Sequence, residues 1–291
     1  MQFQWYPGHM AKAKKSMQED IKLIDVIIEL VDSRIPYSSK NPDIDTLANG
    51  KARILVMNKC DLADSVITDK WIKHYEEKGY FTVCVDSKNN KGMKAVNSVI
   101  QKACSKKIER DRRRGILNRP VRAMIVGIPN VGKSTFINSF TGKSCTKTGN
   151  KPGVTKGKQW IRLNKNVELL DTPGILWPKF EDQKAGLNLA FTGAIKDELY
   201  NIYELSILLI KFLSENYSDI VESFYQIENK TLSEAEILER IAVRRKCIKN
   251  GAKPDLDKAG RYLIDDFRAG RLGRITLEKP DVLLIGENKN V

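Results

Sequence analysis

The sequence predicts an α/β domain built on a mainly parallel sheet, followed by a mainly α-helical domain. Short, nearly continuous apolar runs at 25–31, 54–57, 81–85 and 121–126 have the pattern of strands buried on both faces. Helical stretches at 68–78 and 92–105 lie between them. From Trp177 onward strand signals stop, and helical stretches follow at 181–195, 198–216, 220–227, 233–244 and 255–270. The expected division is 1–176 for the α/β domain with an N-terminal arm, 177–275 for the helical domain and 276–291 for a short tail.

A chain of 291 residues, 41% hydrophobic and 30% charged, can bury a sizeable core. Its formal net charge of +14 points to a polyanionic partner, nucleic acid or an anionic surface. The five cysteines are scattered and form no C-x-x-C pair, which argues against a disulfide framework or a cysteine zinc site. No signal-peptide core or bilayer-length apolar run is present, so the expected location is the cytoplasm, without stable membrane association.

Taken in order, residues 1–10 are loop-like and carry Trp5-Tyr6-Pro7-Gly8-His9, and 11–23 reads as a helix. The strand at 25–31 exits into the polar Asp32-Ser33-Arg34-Ile35-Pro36. The strand at 54–57 ends directly in Asn58-Lys59-Cys60-Asp61, the N-K-x-D pattern that selects guanine. Asp61 offers an acceptor-only carboxylate to the guanine N1–H and exocyclic N2–H₂, where adenine presents the wrong groups. Asn58 can bond the base and tie this loop to the phosphate loop, and the Lys59 stem can cover the purine face. The strand at 81–85 leads into Asp86-Ser87-Lys88, of the type whose backbone contacts the guanine O6. Lys106, Lys107, Arg110, Arg112, Arg113 and Arg114 then form a basic run, read either as a solvated linker helix or as a phosphate-backbone contact.

The strand at 121–126 feeds Gly127-Ile128-Pro129-Asn130-Val131-Gly132-Lys133-Ser134 and a helix at 134–140, the phosphate-cradling pattern G-x-x-x-x-G-K-[ST] in its required context. Its glycines let backbone N–H groups close on phosphates, Lys133 reaches the β- and γ-phosphates, and the Ser134 hydroxyl can ligate Mg²⁺. Residues 141–158 have the composition of a mobile loop and place Thr155 for Mg²⁺ and the γ-phosphate. A strand hairpin at 158–163 and 167–170 exits into Asp171-Thr172-Pro173-Gly174, a D-x-x-G motif. There Asp171 holds the Mg²⁺ shell and the Gly174 N–H senses the γ-phosphate. The expected nucleotide-binding set is Asn58, Lys59, Cys60, Asp61, Asp86, Ser87, Asn130, Val131, Gly132, Lys133, Ser134, Thr135 and Gly174, with Ser134, Thr155 and Asp171 on Mg²⁺. In the helical part, Ser233 and Glu236 form a plausible capping box, and late basic residues, among them Arg244, Arg245, Lys246, Lys249, Arg261 and Arg268, favour an RNA-binding face.

The motif order is guanine loop, guanine-contact loop, phosphate loop, switch threonine, D-x-x-G, a circular permutation of the ordinary GTPase order. With the Trp5 to Met10 opening and Asp32 to Pro36, the chain resembles the circularly permuted GTPases, most closely the bacterial ribosome biogenesis GTPase A family. The resemblance covers nearly the whole sequence. It implies a cytoplasmic GTPase acting late in large ribosomal subunit assembly, bound to the pre-subunit in the GTP state, released after hydrolysis, and touching ribosomal RNA through its helical domain. It also places His9 beside the nucleotide and puts Asn130 where potassium-activated relatives ligate K⁺. Ile175 follows Asp-Thr-Pro-Gly where many GTPases carry a water-orienting glutamine. The expected catalytic residues are therefore His9, Thr155 and Lys133, with GTP, Mg²⁺ and K⁺ as cofactors and a monomeric protein. Two other classes are weaker: an RNA-modifying enzyme lacks a second catalytic cluster, and a membrane-surface GTPase lacks an anchor or lipidation signal.

Overall fold

A computed structural model describes residues 18–48, 50–117, 119–142, 159–164, 166–171, 183–228, 231–249, 251 and 253–280. Its contacts divide the chain into two compact units, residues 186–275 forming one and the remaining described residues the other. The expected boundary after 176 falls outside the described residues.

The α/β unit holds a six-stranded sheet in the order β3-β2-β1-β4-β6-β5. Strands β1 (Val26–Asp32), β2 (Ala52–Asn58), β3 (Phe81–Val85), β4 (Val121–Gly127) and β6 (Val167–Asp171) run parallel, and β5 (Gln159–Asn164) is an antiparallel edge strand. All seven residues of β1 are buried, as expected for a central strand covered on both faces. Helix α1 (Pro42–Leu47), capped by the Asn41 side chain on the Asp43 N–H, is too short for periodicity to reveal. Helix α2 (Ser65–Glu77) starts at Asp64, whose carboxylate accepts from Val66 and Ile67 N–H. It lays Trp71 and Tyr75 on Val31, Leu55 and Met57. Ile21, Ile24 and Ile44 cover Ile27, Met124, Val126 and Leu170. Helix α3 (Met93–Ala103) packs on β2 and β3, the basic α4 (Ser105–Arg113) follows it, and α5 (Lys133–Thr141) packs on β4.

The helical unit takes in α6 (Gln183–Phe191) from Gly186 onward, α7 (Ile202–Asn216), α8 (Ser218–Tyr225), α9 (Glu234–Arg244) and α10 (Leu256–Arg268). Helix α7 is the hub, packed by α8, α9 and α10. Gly260 permits the α7–α10 approach, since a Cβ there would lie 2.9 Å from Ser206 Oγ. The capping box of Ser233 and Glu236 forms as the sequence predicts.

The segment expected as a tail departs from that reading at its start. Thr276, Leu277 and Glu278 are buried and belong to the α/β unit. Leu277 N donates to Arg34 O at 2.8 Å, and the indole of Trp71 donates to Glu278 O at 3.0 Å. The apolar Ile275 and Leu277 flanking polar Thr276 and Glu278 need such a partner surface, which composition does not disclose.

Candidate nucleotide site

The parallel register brings the motifs to one edge although they are far apart in sequence. Asp32 pairs with Asn58, Asn58 with Val85, Leu30 with Gly127 and Ile125 with Asp171, so the loops after β1, β2, β3, β4 and β6 all leave at the carboxyl ends of the strands. Open α/β sheets bind ligands at that edge.

The phosphate loop is shaped by its two glycines. A Cβ on Gly127 would stand 2.9 Å from Leu30 O, and Gly132, at φ +95°, would bring one to 2.5 Å from Asn58 Nδ2. Asn58 cannot swing away, because Nδ2 donates to Val131 O at 2.8 Å while Oδ1 accepts from Ser87 Oγ at 2.7 Å and from Ser87 N at 3.3 Å. One buried amide thus fastens the guanine loop to both neighbouring loops, and Ser139 Oγ of α5 adds a bond to Ser87 O. Gly132→Ala is expected to cost about 2 kcal/mol in thermal unfolding, from the left-handed backbone and the collision. Adding Asn58→Ala should make the pair less than additive by about 1 kcal/mol, whereas strict additivity would mean the two positions do not meet.

Lys59, itself at φ +60°, sends its ammonium to Asn130 O at 2.8 Å and Asp32 Oδ2 at 3.0 Å. Asp32 is also gripped by Arg34, Nε to Oδ1 at 2.9 Å and Nη2 to Oδ2 at 2.8 Å. Burial would raise the Asp32 carboxyl, but the Arg34 and Lys59 charges hold it well below the usual carboxylate range. Burial lowers the Lys59 ammonium against the pull of Asp32. Sequence reasoning finds a polar exit at Asp32 but misses its role as the partner of Lys59. The available signal is an Asp-x-Arg spacing at a buried strand end.

Asp61 has its carboxyl raised by burial and by the neighbouring charge of Asp86, an environment that a pair of N–H donors such as the guanine edge relieves. Asp86 organises the loop that follows β3. Its carboxylate accepts from Asn89 N at 3.0 Å and Asn89 Nδ2 at 2.8 Å, closing its own loop. Cys60 contributes through its backbone, N donating to Val85 O at 3.3 Å. Lys133 is buried at the start of α5, with Ser134 and Thr135 in the same first turn. Ser134 and Asp171 belong to elements meeting at this edge, and a hydroxyl with a carboxylate is a hard-oxygen set that fits Mg²⁺. His9, Thr155 and Gly174 lie outside the described residues.

The basic set in the helical unit separates into two groups. Arg268 bonds internally, to Phe191 O, Ala190 O, both Asp197 oxygens and the Tyr200 hydroxyl. Arg245 lies over the rings of Phe224, Tyr225 and Tyr262 and bonds Asp266 at 2.6 Å. Arg244, which donates to Gln226, is exposed, as are Lys246, Arg261 and Lys249, the last 3.5 Å from Asp255. Among the described residues no helix is long and apolar enough to cross a membrane.

The profile of the 50S ribosome-binding GTPase family matches residues 122–241. Over 281 residues the chain is 43% identical to Ribosome biogenesis GTPase A of Bacillus cereus, covering 97% of this chain and 95% of that protein. The chain belongs to the ribosome biogenesis GTPase A family. The Thermotoga maritima Ribosome biogenesis GTPase A is 31% identical, with 95% of this chain and 94% of that one covered. A GNP-bound crystal structure of YlqF from T. maritima matches with a TM-score of 0.64 at 27% identity, covering 93% of this chain and 99% of that one. The family is that of GTP hydrolases, so this GTPase uses GTP and Mg²⁺, and its motif order makes it a circularly permuted member. The profile begins at the strand leading into the phosphate loop, after the guanine loop that permutation has moved forward.

Proposed function

We propose that this GTPase is a switch for late assembly of the large ribosomal subunit, docking on the pre-subunit with GTP and leaving after hydrolysis. The observation that carries this reading is the Asn58 fastening, which assembles a guanine-nucleotide site from loops in permuted order. Permutation then sends the chain after Asp171 into the helical unit rather than back to the sheet, so the γ-phosphate sensor and the basic helices are joined covalently. The exposed Arg244, Lys246, Lys249 and Arg261 are the contacts to ribosomal RNA, the protein works as a cytoplasmic monomer, and the names of its relatives support the ribosomal target.

In the reaction Lys133 would hold the β- and γ-phosphates, while Ser134, Thr155 and Asp171 would hold Mg²⁺, which would neutralise charge on the phosphate oxygens. Ile175 provides no amide to orient water, so intrinsic turnover is expected near the unassisted order of about 10⁻⁴ to 10⁻³ s⁻¹. His9 would orient the water, Asn130 would hold a K⁺ that would supply positive charge there, and docking would complete the arrangement. The test is GTP turnover in KCl or NaCl, with and without purified large subunits, at two salt concentrations. Expected are faster turnover in KCl and a stimulation of about tenfold or more by the subunit that fades with salt. Equal rates in the two salts would remove K⁺, and no stimulation would remove the ribosome.

A further inference from the structure

We propose that residues 276–278 clamp the guanine loop, with Glu278 as the positioning residue that sets how long guanine nucleotide stays bound. This deepens the function proposed above and rests on its guanine site.

The Glu278 carboxylate is buried and accepts the main-chain N–H groups of Tyr37 at 2.8 Å and Ser38 at 3.1 Å, together with the Ser38 hydroxyl. One residue earlier, Leu277 N holds Arg34 O. The loop so held is the one that carries Asp32 and Arg34. From Arg34 a continuous path of bonds runs to Asp32, to the Lys59 ammonium and to Asn130 O in the phosphate loop. The clamp also grips the other flank of the guanine motif. Thr276 Oγ1 accepts from Asp64 N at 3.0 Å, three residues beyond Asp61, and Glu278 O accepts from the indole of Trp71 in α2. Both segments bordering Asn58 to Asp61 are therefore bonded to three consecutive residues that contribute nothing to the nucleotide motifs.

A segment serving only to seal the core would need apolar burial, which Ile275 and Leu277 already provide. Placing a carboxylate against two loop amides instead fixes backbone geometry, because each buried N–H left without an acceptor is costly. The clamp begins where the helical unit ends: Ile275 is the last residue of that unit and Thr276 the first of the clamp.

The experiment is stopped-flow dissociation of a fluorescent GDP analogue from the full chain, with steady-state GTP turnover alongside. Glu278→Ala is expected to release the analogue about tenfold faster and to raise KM for GTP, with kcat nearly unchanged, whereas Glu278→Gln, which keeps an acceptor oxygen, stays within about threefold of the parent. A folded Glu278→Ala protein with a lower melting temperature but the parental release rate would overturn the clamp and leave a structural contact only. If Glu278→Ala does not fold, Thr276→Val removes the acceptor of Asp64 N and is expected to release about threefold faster; a parental rate there overturns the proposal equally. Failure of the parent itself to retain the analogue would sink the guanine-site reading instead.

Discussion

Replacing Asp61 with asparagine is expected to weaken GTP binding by about 10⁴-fold and to create affinity for xanthosine triphosphate. The carboxylate presents acceptors alone, matched to the two donors on the guanine edge, and its raised protonation tendency reflects burial and the nearby Asp86 charge in the absence of those donors. An asparagine amide turns one donor toward the base, leaving guanine a donor–donor conflict but matching xanthine, which carries a carbonyl where guanine has its amino group. Competition of GTP and xanthosine triphosphate against a fluorescent GDP analogue reads both effects. A variant that lost GTP without gaining the xanthine nucleotide would mean that Asp61 shapes the loop and does not touch the base.

Asp32→Asn is the other large effect, about 3–5 kcal/mol of stability at neutral pH, because it removes the carboxylate charge that grips the buried Arg34 guanidinium. The pH dependence follows from the depressed Asp32 carboxyl. A group whose folded value lies below its unfolded value of about 3.9 contributes stability that is complete above that value and is lost as pH falls through the folded one. Denaturation curves of parent and variant should therefore differ most above about pH 5 and converge as acid protonates Asp32 in the parent. A gap that stays constant from neutral to acid pH would show that the Asp32 charge is not what holds the cluster. Loss of Asp32 also removes one of the two bonds that place the Lys59 ammonium, so nucleotide release should quicken at the same time.

What is legible in the sequence is what depends on short spacing. Gly127, Gly132 and Lys133 are set by a loop that must wrap a phosphate, and Asn58 by a strand end that must meet it, so their relation can be read from motif spacing alone. The sheet is legible for the same reason, since nearly continuous apolar runs such as that of β1 have the pattern of strands covered on both faces. Pairings across long separations are not. Glu278 and Ser38 are 240 positions apart, and no local pattern links them. Charge counting is silent in another way, because a surplus of cations does not say which ones bond to carbonyls and a carboxylate, as Arg268 does, and which are exposed, as Arg244 and Lys246 are.

The strand order carries a consequence for how the protein emerges during its own synthesis. Strand β1 is central, yet its two neighbours arrive at very different times: β2 follows within a short helical connection, whereas β4 begins only at Val121. Were β3, β2 and β1 to pair before β4 is made, their sheet would end on a strand destined for burial, the kind of edge that recruits other chains. The half that reads the base is made first, the half that holds the phosphates second, and the closing segment at Thr276 to Glu278 last. A nascent chain of this GTPase therefore has a vulnerable edge early, and its guanine loop stays unclamped until Glu278 has been made.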